Sequence, residues 1–392
     1  MNDPVIVSAV RTPVGSFQGA LASLSAPRLG AIVIEEALKR AGISKSDVNE
    51  VIMGNVLTAG EGQAPARQAA LFAGLPDSVE CMTVNKVCGS GLKSVMLAAQ
   101  AIQLGDADII VAGGMESMSN VPYLLDKGRT GYKMGHAQLI DSMIKDGLWD
   151  VYNDFHMGNA AELCAKECSV PREAQDEFAV MSYKRAQSAW SEGRFAEEVV
   201  PVVIKGKKGD EVVSQDEDPF KTNFEKIPAL KPAFQKDGTV TAANSSKIND
   251  GAAALVVMSA EKAKSMNIKP LARIVGYASA AKKPEWFTTA PADVITKTLN
   301  RGKMSKDDID LYEINEAFAV VTLAVNKMLG LDVNKVNVNG GAVAIGHPIG
   351  ASGARILVTL LHALKQRNKK RGMAAICIGG GEAAGMIVEM IH

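Results

Sequence analysis

Two short apolar runs, residues 107–112 and residues 374–378, each end in a pair of glycines. Runs of this length without alternating polar positions are typical of strands that are buried on both faces. We therefore predict a central strand at each place. The glycine pairs, Gly113-Gly114 and Gly379-Gly380, predict a turn after each strand.

Apolar residues also recur at helical spacing after two other glycines, Gly91 and Gly353. The two sets are Leu92, Val95, Met96, Ala99 and Ile102, and Leu357, Leu360, Leu361 and Leu364. The apolar positions cover more than one face of each helix, which predicts that both helices are central. Alternation of such strands and helices predicts an α/β fold built in layers.

The same pattern occurs twice along the chain. Three blocks recur in the same order, and the second copy lies 261, 262 or 266 residues after the first: 44–52 with 305–313, 90–92 with 352–354, and 110–116 with 376–382. A fixed order at a nearly constant offset is the signature of an internal repeat. The sequence therefore predicts two similar halves of roughly 120 residues each.

Residues 119–239 lie between the halves and follow a different pattern. Charged residues, prolines and glycines are mixed there, and one amphipathic helix is predicted around residues 176–189. We interpret this segment as an inserted loop domain that shapes a binding site over the paired halves. The alternative is a solvated excursion without a role.

The charge balance weighs against two classes of partner, although a local basic site is compatible with it. Lys and Arg number 43 and Asp and Glu number 43, so the net charge is zero. Nucleic acid as the main partner is not expected, because its binding needs an excess of cations, and the electrostatic case for an anionic membrane surface is removed. No apolar run reaches the length of about 18 residues that predicts a membrane-spanning helix.

The cysteines and the first residues indicate a compartment. The chain has five cysteines, and residues 1–5 lack the charged and apolar regions of a secretory signal. A small, odd number of cysteines suits a reducing environment better than a disulfide scaffold. These features predict a cytoplasmic protein.

Cys88 is the first candidate for chemistry. Residues 84–91 read VNKVCGSG, so a strand-like run ends at Cys88 and a central helix begins. A thiol at a helix start feels the positive end of the helix dipole, which favours the thiolate. The glycines permit a sharp turn of the nucleophile-elbow type. The alternative is an inert buried cysteine.

Cys377 and His347 also stand among glycines. Cys377 ends a buried strand ahead of Gly379, Gly380 and Gly381, whose backbone N–H groups could form an oxyanion hole. His347 lies in a glycine-rich loop ahead of the second central helix, where a general base or oxyanion donor is predicted. The alternatives are a core cysteine and a structural histidine.

Other signals are weaker. Asn315 could hold a water or an oxyanion through its amide, although such residues more often cap helices. Cys164 and Cys168 are four residues apart but lack further ligands at zinc-like spacing, so no metal site is predicted. The phosphate-binding loop and dinucleotide motifs are both missing from the sequence.

Taken together, four motifs resemble those of the thiolase family. In chain order they read NKVCGSG at 85–91, NEAFA at 315–319, GGAVAIGHPIG at 340–350 and CIGGG at 377–381. The resemblance extends from residues 6–13 to the C-terminus. Residues 155–158 (FHMG) resemble the short-chain, biosynthetic branch of the family, whose members transfer acetyl groups between CoA thioesters.

The resemblance implies a fold and an assembly. Thiolases have two βαβαβαββ halves that form a five-layer α-β-α-β-α sandwich with an inserted loop domain. The implied ranges are 1–118 for the first half, completed by about 240–268, with 119–239 as the inserted loop domain and 269–392 as the second half. Members of the family are usually homotetramers or homodimers.

The resemblance also implies a reaction, the condensation of two acetyl-CoA molecules to acetoacetyl-CoA and CoA. Cys88 would be the nucleophile, His347 the base and oxyanion donor, and Cys377 the second acid/base. Asn315 would hold a water and Gly379 would donate its backbone N–H to an oxyanion. No metal or organic cofactor is implied.

Substrate contacts carry over by position. His156, Met157, Ser246 and Phe318 fall where thiolases contact the pantetheine arm and line the acyl pocket, and Lys221 is the nearest cation to the position of the CoA nucleotide. Two segments depart from the family pattern. They are residues 286–291 (WFTTAP) and the Glu382-Ala383 pair after the glycines.

Three rival interpretations remain open at this stage. One is a long-chain 3-ketoacyl-CoA thiolase that works mainly in the cleaving direction. A second is a non-catalytic acyl-CoA-binding protein on the same fold, which would be expected to lack Cys88, His347 or Cys377. A third is a hydrolase that uses a cysteine and a histidine, in which Cys377 would be idle.

Overall fold

The structure is a computed structural model that describes residues 2–207 and 209–391. The ends of the implied ranges, residues 1 and 392, therefore lie outside the described residues. The first half consists of alternating strands and helices: β1 (Pro4–Arg11), β2 (Gly15–Ser16), α1 (Ala26–Ala41), β3 (Glu50–Gly54), α2 (Pro65–Phe72), β4 (Glu80–Val84), α3 (Ser90–Leu104) and β5 (Ile109–Ser117).

The inserted segment has short two-stranded pairs and two helices. Its elements are β6 (Tyr123–Leu124), β7 (Ile140–Asp141), β8 (Trp149–Asp150), β9 (Phe155–His156), α4 (Met157–Glu167), α5 (Arg172–Ser191), β10 (Val202–Ile204) and β11 (Glu211–Val213). The helix predicted at 176–189 is confirmed as part of α5. The chain then returns to the first half through β12 (Asn249–Ser259) and α6 (Ala260–Ser265).

The second half repeats the first. It consists of β13 (Ala272–Ala281), α7 (Ala290–Gly302), β14 (Leu311–Ile314), α8 (Ala319–Leu329), α9 (Ala342–Ile345), α10 (Ile349–Gln366), β15 (Arg371–Ile378) and β16 (Glu382–Met390). The domain boundaries given above stay predictions. No described helix is both long enough and apolar enough to span a membrane.

Sheet topology confirms the duplication. The order in the sheet is β14-β15-β16-β13-β1-β12-β5-β3-β4. In the first half β1, β12 and β5 are antiparallel neighbours and β3 is parallel to β5; in the second half β13, β16, β15 and β14 repeat that arrangement. A single parallel bridge from Tyr312 to Val336 takes the place of the β3–β4 pair. The two halves join where Val5 and Ile6 pair with Arg273 and Ala272.

Helices and the strands of the two halves stack in five layers, with three apolar cores between them. One core packs α1 and α2 on the outer face of the first half, and another packs α7 on the outer face of the second half. The middle core holds α3 and α10 between the two sheet faces. Successive residues of β12 enter different cores, Val256 the outer one and Val257 the middle one, which explains its unbroken apolar sequence.

The two central helices touch through glycines. A Cβ atom added to Gly91 would lie 2.7 Å from the backbone nitrogen of Ala354, and one added to Gly353 would lie 2.4 Å from that of Leu92. Neither position has room for a side chain. The repeated Ser-Gly pair in the sequence therefore marks the contact between α3 and α10.

One sequence prediction is wrong. Gly113 and Gly114 do not form a turn, because β5 continues through them to Ser117. A Cβ atom on Gly113 would lie 2.0 Å from the carbonyl oxygen of Ala253, and one on Gly114 would lie 2.1 Å from that of Gly350. These glycines allow close approach of β12 and of the start of α10.

Candidate active site

A mainly apolar pocket of about 270 Å³ opens where both halves and the inserted segment meet. Seven of the residues that the sequence analysis selected line it: Cys88, His156, Met157, Ser246, Phe318, His347 and Gly379. They come from six separate stretches of the chain. The fold therefore brings together residues that local sequence pattern could only suggest one by one.

Cys88 lies in a tight turn between β4 and α3. Val87, directly before it, has a left-handed backbone with φ of 45°, an uncommon conformation for a β-branched residue. Ser90 fixes the turn, because its hydroxyl donates to the carbonyl of Val87 at 2.7 Å and accepts the N–H of Lys86 at 2.8 Å. The turn has the form of the predicted elbow, with the strain on the neighbour of the cysteine.

The Cys88 thiol is not a ready thiolate. Burial raises its pKa to about 11, although the backbone N–H groups of Gly379 and Cys88 face the sulfur and lower the pKa. The charge of Glu116 adds to the increase. The net shift is therefore opposite to the prediction that the helix start favours the thiolate, since desolvation outweighs the two backbone N–H groups. Cys88 needs a base to remove its proton.

His347 can act as that base. Its Nδ1 lies 2.6 Å from the hydroxyl oxygen of Ser352, which itself donates to the carbonyl of Pro348 at 2.8 Å. Because the hydroxyl proton is used there, Nδ1 carries the ring proton and donates it to Ser352. Nε2 has no hydrogen-bond partner among the described residues and keeps a free lone pair.

The ring of His347 is neutral at physiological pH. Burial, and then the charge of Arg355, lower its pKa to about 3. The backbone is fixed as well, since the N–H of His347 donates to the side-chain oxygen of Asn249 at 2.9 Å. A neutral imidazole with a free Nε2 can accept the thiol proton, and its lowered pKa makes it a weak base in the free protein.

Cys377 and Asn315 are buried and are not among the residues that line the pocket. Cys377 is buried near the end of β15, and burial, followed by the charge of Cys88, raises its pKa well above the ordinary value. The backbone N–H of Ala317 faces its sulfur. Asn315 is 1% exposed, and among the described residues neither atom of its amide group has a partner. Such an amide is free to bind a water or an oxyanion.

Gly379 begins a tight hairpin between β15 and β16. Ile378 and Glu382 pair at its base, and Gly380 and Gly381 have φ of 88° and 87°. These left-handed positions favour glycine and point the N–H of Gly379 toward the Cys88 sulfur. Two backbone N–H groups, from Cys88 and Gly379, thus converge on one atom, as an oxyanion hole requires.

Aromatic rings line the mouth of the pocket. His156 stacks on Phe234 with ring centroids 4.9 Å apart, and Phe318 meets Phe234 and Phe287 edge-on at 6.1 Å and 6.5 Å. Burial lowers the pKa of His156, so this ring is neutral. Met157 adds a flexible apolar side chain. The lining suits an apolar arm better than a charged group.

Lys221 is not brought to this pocket. Its Nζ lies 2.7 Å from the hydroxyl oxygen of Ser16 and 3.0 Å from a carboxylate oxygen of Glu217. The pocket lining, within residues 2–207 and 209–391, does not include it. Its contact with a CoA nucleotide stays a prediction without support from the geometry.

Four further residues in or next to the site were not predicted from the sequence: Ser352, Phe234, Phe287 and Glu116. Glu116 is fully buried and accepts the N–H groups of Val56 and Gly350 at 3.1 Å and 2.8 Å, so it joins the start of α10 to the end of β3. For Ser352, the one local signal was its position five residues after His347. The two phenylalanines carry no periodic signal at all.

No metal centre is visible in the described part of the chain, where no three His, Cys, Asp or Glu side chains are grouped as ligands. Cys164 and Cys168 lie with their sulfurs 3.9 Å apart at α4, as their spacing in the sequence indicated. All five cysteines, each within the described ranges, are free.

Two α/β halves that each bring a cysteine to a common centre define the thiolase class of fold. Family models agree with this assignment: the thiolase N-terminal domain matches residues 4–261 and the thiolase C-terminal domain matches residues 268–390. The chain belongs to the thiolase family. The resemblance stated from the motifs is thereby confirmed.

Named relatives are similar over the full length. Acetyl-CoA acetyltransferase of Cupriavidus necator is 57% identical, covering 99% of this chain and 100% of the relative. The mitochondrial acetyl-CoA acetyltransferase of Bos taurus is 55% identical, covering 100% of this chain and 92% of the relative.

Solved structures agree closely in shape. A Bacillus anthracis acetyl-CoA acetyltransferase has a TM-score of 0.98 and 44% identity, covering 100% of this chain and 99% of that chain. A thiolase from Ascaris suum in complex with coenzyme A has a TM-score of 0.94 and 47% identity, covering 99% of this chain and 100% of that chain. The five-layer fold expected from the motifs is confirmed.

Proposed function

We propose that this thiolase is an acetyl-CoA C-acetyltransferase, which condenses two acetyl-CoA molecules reversibly to acetoacetyl-CoA and CoA. The observation that carries the proposal is the common pocket of Cys88, His347 and Gly379, with Cys377 packed against the pocket residues Met157 and Phe318. The names of the relatives at 55–57% identity support the same acyltransferase reaction.

The first half-reaction acetylates Cys88. As the sulfur attacks the thioester carbon of acetyl-CoA, its proton passes to Nε2 of His347, whose free lone pair supports this role. The developing oxyanion accepts hydrogen bonds from the N–H groups of Cys88 and Gly379. CoA leaves with the proton of Cys377, which becomes a thiolate, and His347 keeps the proton from Cys88. One such donor is worth roughly 3–4 kcal/mol of transition-state stabilisation.

The second half-reaction forms the carbon–carbon bond. The Cys377 thiolate takes a proton from the methyl group of a second acetyl-CoA, and the enolate oxygen accepts hydrogen bonds from the protonated Nε2 of His347 and from a water bound to Asn315. The carbanion attacks acetyl-Cys88, and the sulfur of Cys88 leaves and regains its proton from His347. This route uses covalent catalysis and two separate oxyanion sites.

The pocket supports short acyl chains and the pantetheine arm. Met157, Phe287 and Phe318 close it on one side, and the cavity has a volume of about 270 Å³. We place the pantetheine arm against His156 and Ser246 and the acyl group against Met157 and Phe318. The proposal needs no metal or organic cofactor, because the thioester itself acidifies its α-carbon.

We further propose a homotetramer, or a dimer, in the cytoplasm. The inserted segment presents exposed apolar side chains that an assembly would cover, including Tyr123, Leu139 and Tyr152 at 62%, 69% and 74% exposure. Free cysteines support a reducing compartment. Sedimentation analysis of the purified protein tests the assembly, and a monomer at micromolar concentration would contradict it.

The decisive experiment for the function measures CoA-dependent thiolysis over a series of 3-ketoacyl-CoA chain lengths. We expect acetoacetyl-CoA to be cleaved most efficiently and 3-ketohexadecanoyl-CoA hardly at all. Consumption of acetoacetyl-CoA should require free CoA, since a hydrolase would not need it. Mass spectrometry after mixing with acetyl-CoA should show an acetyl group on Cys88, and its absence would refute the proposed nucleophile.

A further inference from the structure

Lys86 and Glu382 form an ion pair between the two halves of the molecule. The ammonium group of Lys86 contacts a carboxylate oxygen of Glu382 although the residues are 296 positions apart. Among the described residues it is the one ion pair that joins segments 85–91 and 378–382. These are the two segments that carry the oxyanion-hole donors.

Each partner is directly coupled to one donor through the backbone. The backbone of Lys86 forms an isolated β-bridge with that of Cys88 within the nucleophile turn. Glu382 opens β16 and pairs with Ile378 at the base of the hairpin that carries Gly379. A movement of either side chain would therefore be transmitted to an N–H group of the oxyanion hole.

The two segments also meet through close packing at their glycines and through the N–H of Gly379, which faces the Cys88 sulfur. A Cβ atom on Gly89 would lie 2.3 Å from Cδ1 of Ile378, and one on Gly379 would lie 3.7 Å from Cγ1 of Val87. Apolar packing of this kind is not directional. The ion pair adds a link between side chains that holds one segment relative to the other.

Neither partner is in a position to touch substrate. The described residues that line the pocket include neither Lys86 nor Glu382. Their side chains are 22% and 36% exposed, so the pair is partly solvated and adds little to global stability. Any effect on the reaction must act through the positions of Cys88 and Gly379.

We propose that Lys86 and Glu382 are positioning residues whose ion pair sets the spacing between the backbone N–H groups of Cys88 and Gly379. The proposal rests on the proposed function, because the oxyanion hole has its use in acyl transfer. It also gives a physical role to Glu382, one of the positions at which this chain departs from the family pattern.

The first test compares Glu382→Gln, Lys86→Met and the charge-swapped pair K86E/E382K. Losing an oxyanion donor costs about 100-fold in kcat, so a displaced donor should lower kcat by about three- to tenfold with KM little changed. The swap should be faster than the slower single variant. Glu35→Gln, which removes the surface partner of Lys45, is the matched control and should leave kcat unchanged.

The second test needs no turnover and measures the pH dependence of Cys88 alkylation by iodoacetamide. The direction in which the pKa of Cys88 changes distinguishes two explanations. If Glu382→Gln acted through its lost charge, the pKa of Cys88 would fall; if the hairpin moves and the Gly379 N–H leaves the sulfur, the pKa rises. We expect the rise. Other titratable groups that face Cys88 are His347, Cys377 and Glu116.

The outcomes separate this inference from the proposed function. An unchanged kcat and alkylation profile in Glu382→Gln would overturn the inference, and so would a swap no faster than the slower single variant. A lower thermal midpoint with an unshifted alkylation profile would also overturn the inference, because the ion pair would then have only a structural role. Failure of the proposed function would appear instead as wild-type protein that does not cleave acetoacetyl-CoA.

Discussion

The hydroxyl oxygen of Ser352 lies 2.6 Å from Nδ1 of His347, and both side chains are buried. Because the hydroxyl donates to Pro348, it accepts from the ring and fixes which ring nitrogen carries the proton. The free lone pair is then on Nε2, the nitrogen without a partner among the described residues. Ser352 thus determines how His347 can act on Cys88.

Removing this hydroxyl should impair the reaction more than the fold. A hydrogen bond to a group that becomes charged contributes about 1.5–3 kcal/mol, so Ser352→Ala should lower kcat by about 10- to 100-fold. Steady-state thiolysis checks this. Ser94→Ala is the matched control, because the buried hydroxyl of Ser94 bonds only backbone carbonyls of Gly91 and Gly113. Equal losses in both variants would contradict the tautomer role.

The raised pKa of Cys88 predicts an unusual alkylation profile. With a pKa of about 11, the reactive thiolate fraction rises through the neutral and mildly alkaline range without saturating. The rate with iodoacetamide should therefore increase about tenfold per pH unit from about pH 7 to about pH 10. Peptide mapping by mass spectrometry isolates the Cys88 adduct. Denatured protein is the control and should level off near about pH 8.5. A plateau at the same pH in the folded protein would contradict the raised pKa of Cys88.

Cys377→Ala should separate the two half-reactions. In the proposed reaction Cys377 deprotonates the methyl group of acetyl-CoA, and the loss of a general base lowers the rate about 10²- to 10⁴-fold. We expect the variant to form the acetyl adduct on Cys88 but to lose exchange of methyl protons with deuterated water. Cys168→Ala is the control and should retain both activities. Methyl exchange at the wild-type rate in Cys377→Ala would assign the proton transfer to another group.

The repeat made much of the fold predictable. Constant offsets between blocks indicated two halves, and apolar helices indicated the central layer. The pairing of β12 with β5 was not visible, because periodicity reports local burial and not the partner of a strand. The interpretation failed at Gly113 and Gly114, where glycine serves close approach within a strand and not a turn.

The site was predictable where residue type alone carried information. Cys88 and His347 stood among glycines and therefore called for a chemical explanation. Phe234, which stacks on His156, lies far away in sequence within an irregular segment, so no local pattern marked it. The sign of the shift in the pKa of Cys88 was missed because burial depends on the folded chain, whereas the helix start is visible in the sequence.

Met157 is predicted to limit the length of the acyl chain. It lines the pocket and is 8% exposed, so Met157→Ala enlarges the cavity next to Gly379. One extra methylene changes binding by about 10- to 200-fold, so kcat/KM for 3-ketohexanoyl-CoA relative to acetoacetyl-CoA should rise by at least about tenfold. Met143→Ala, buried outside the pocket lining, is the control. An unchanged preference in Met157→Ala would mean that another group sets the limit.

Arg11 ties the inserted segment to the first half. The guanidinium at the end of β1 is fully buried and bonds Glu198 at 2.6 Å and Asp216 at 2.7 Å. Arg11→Met leaves both carboxylates buried without their cation, and removing one partner of a buried pair costs about 3–5 kcal/mol. We therefore expect the free energy of unfolding in urea to fall by about that amount at equal protein concentration. Lys39→Met removes an exposed ion pair with Glu36 and should change the free energy of unfolding by less than about 1 kcal/mol. Similar effects in the two variants would show that the buried pair does not hold the inserted segment in place.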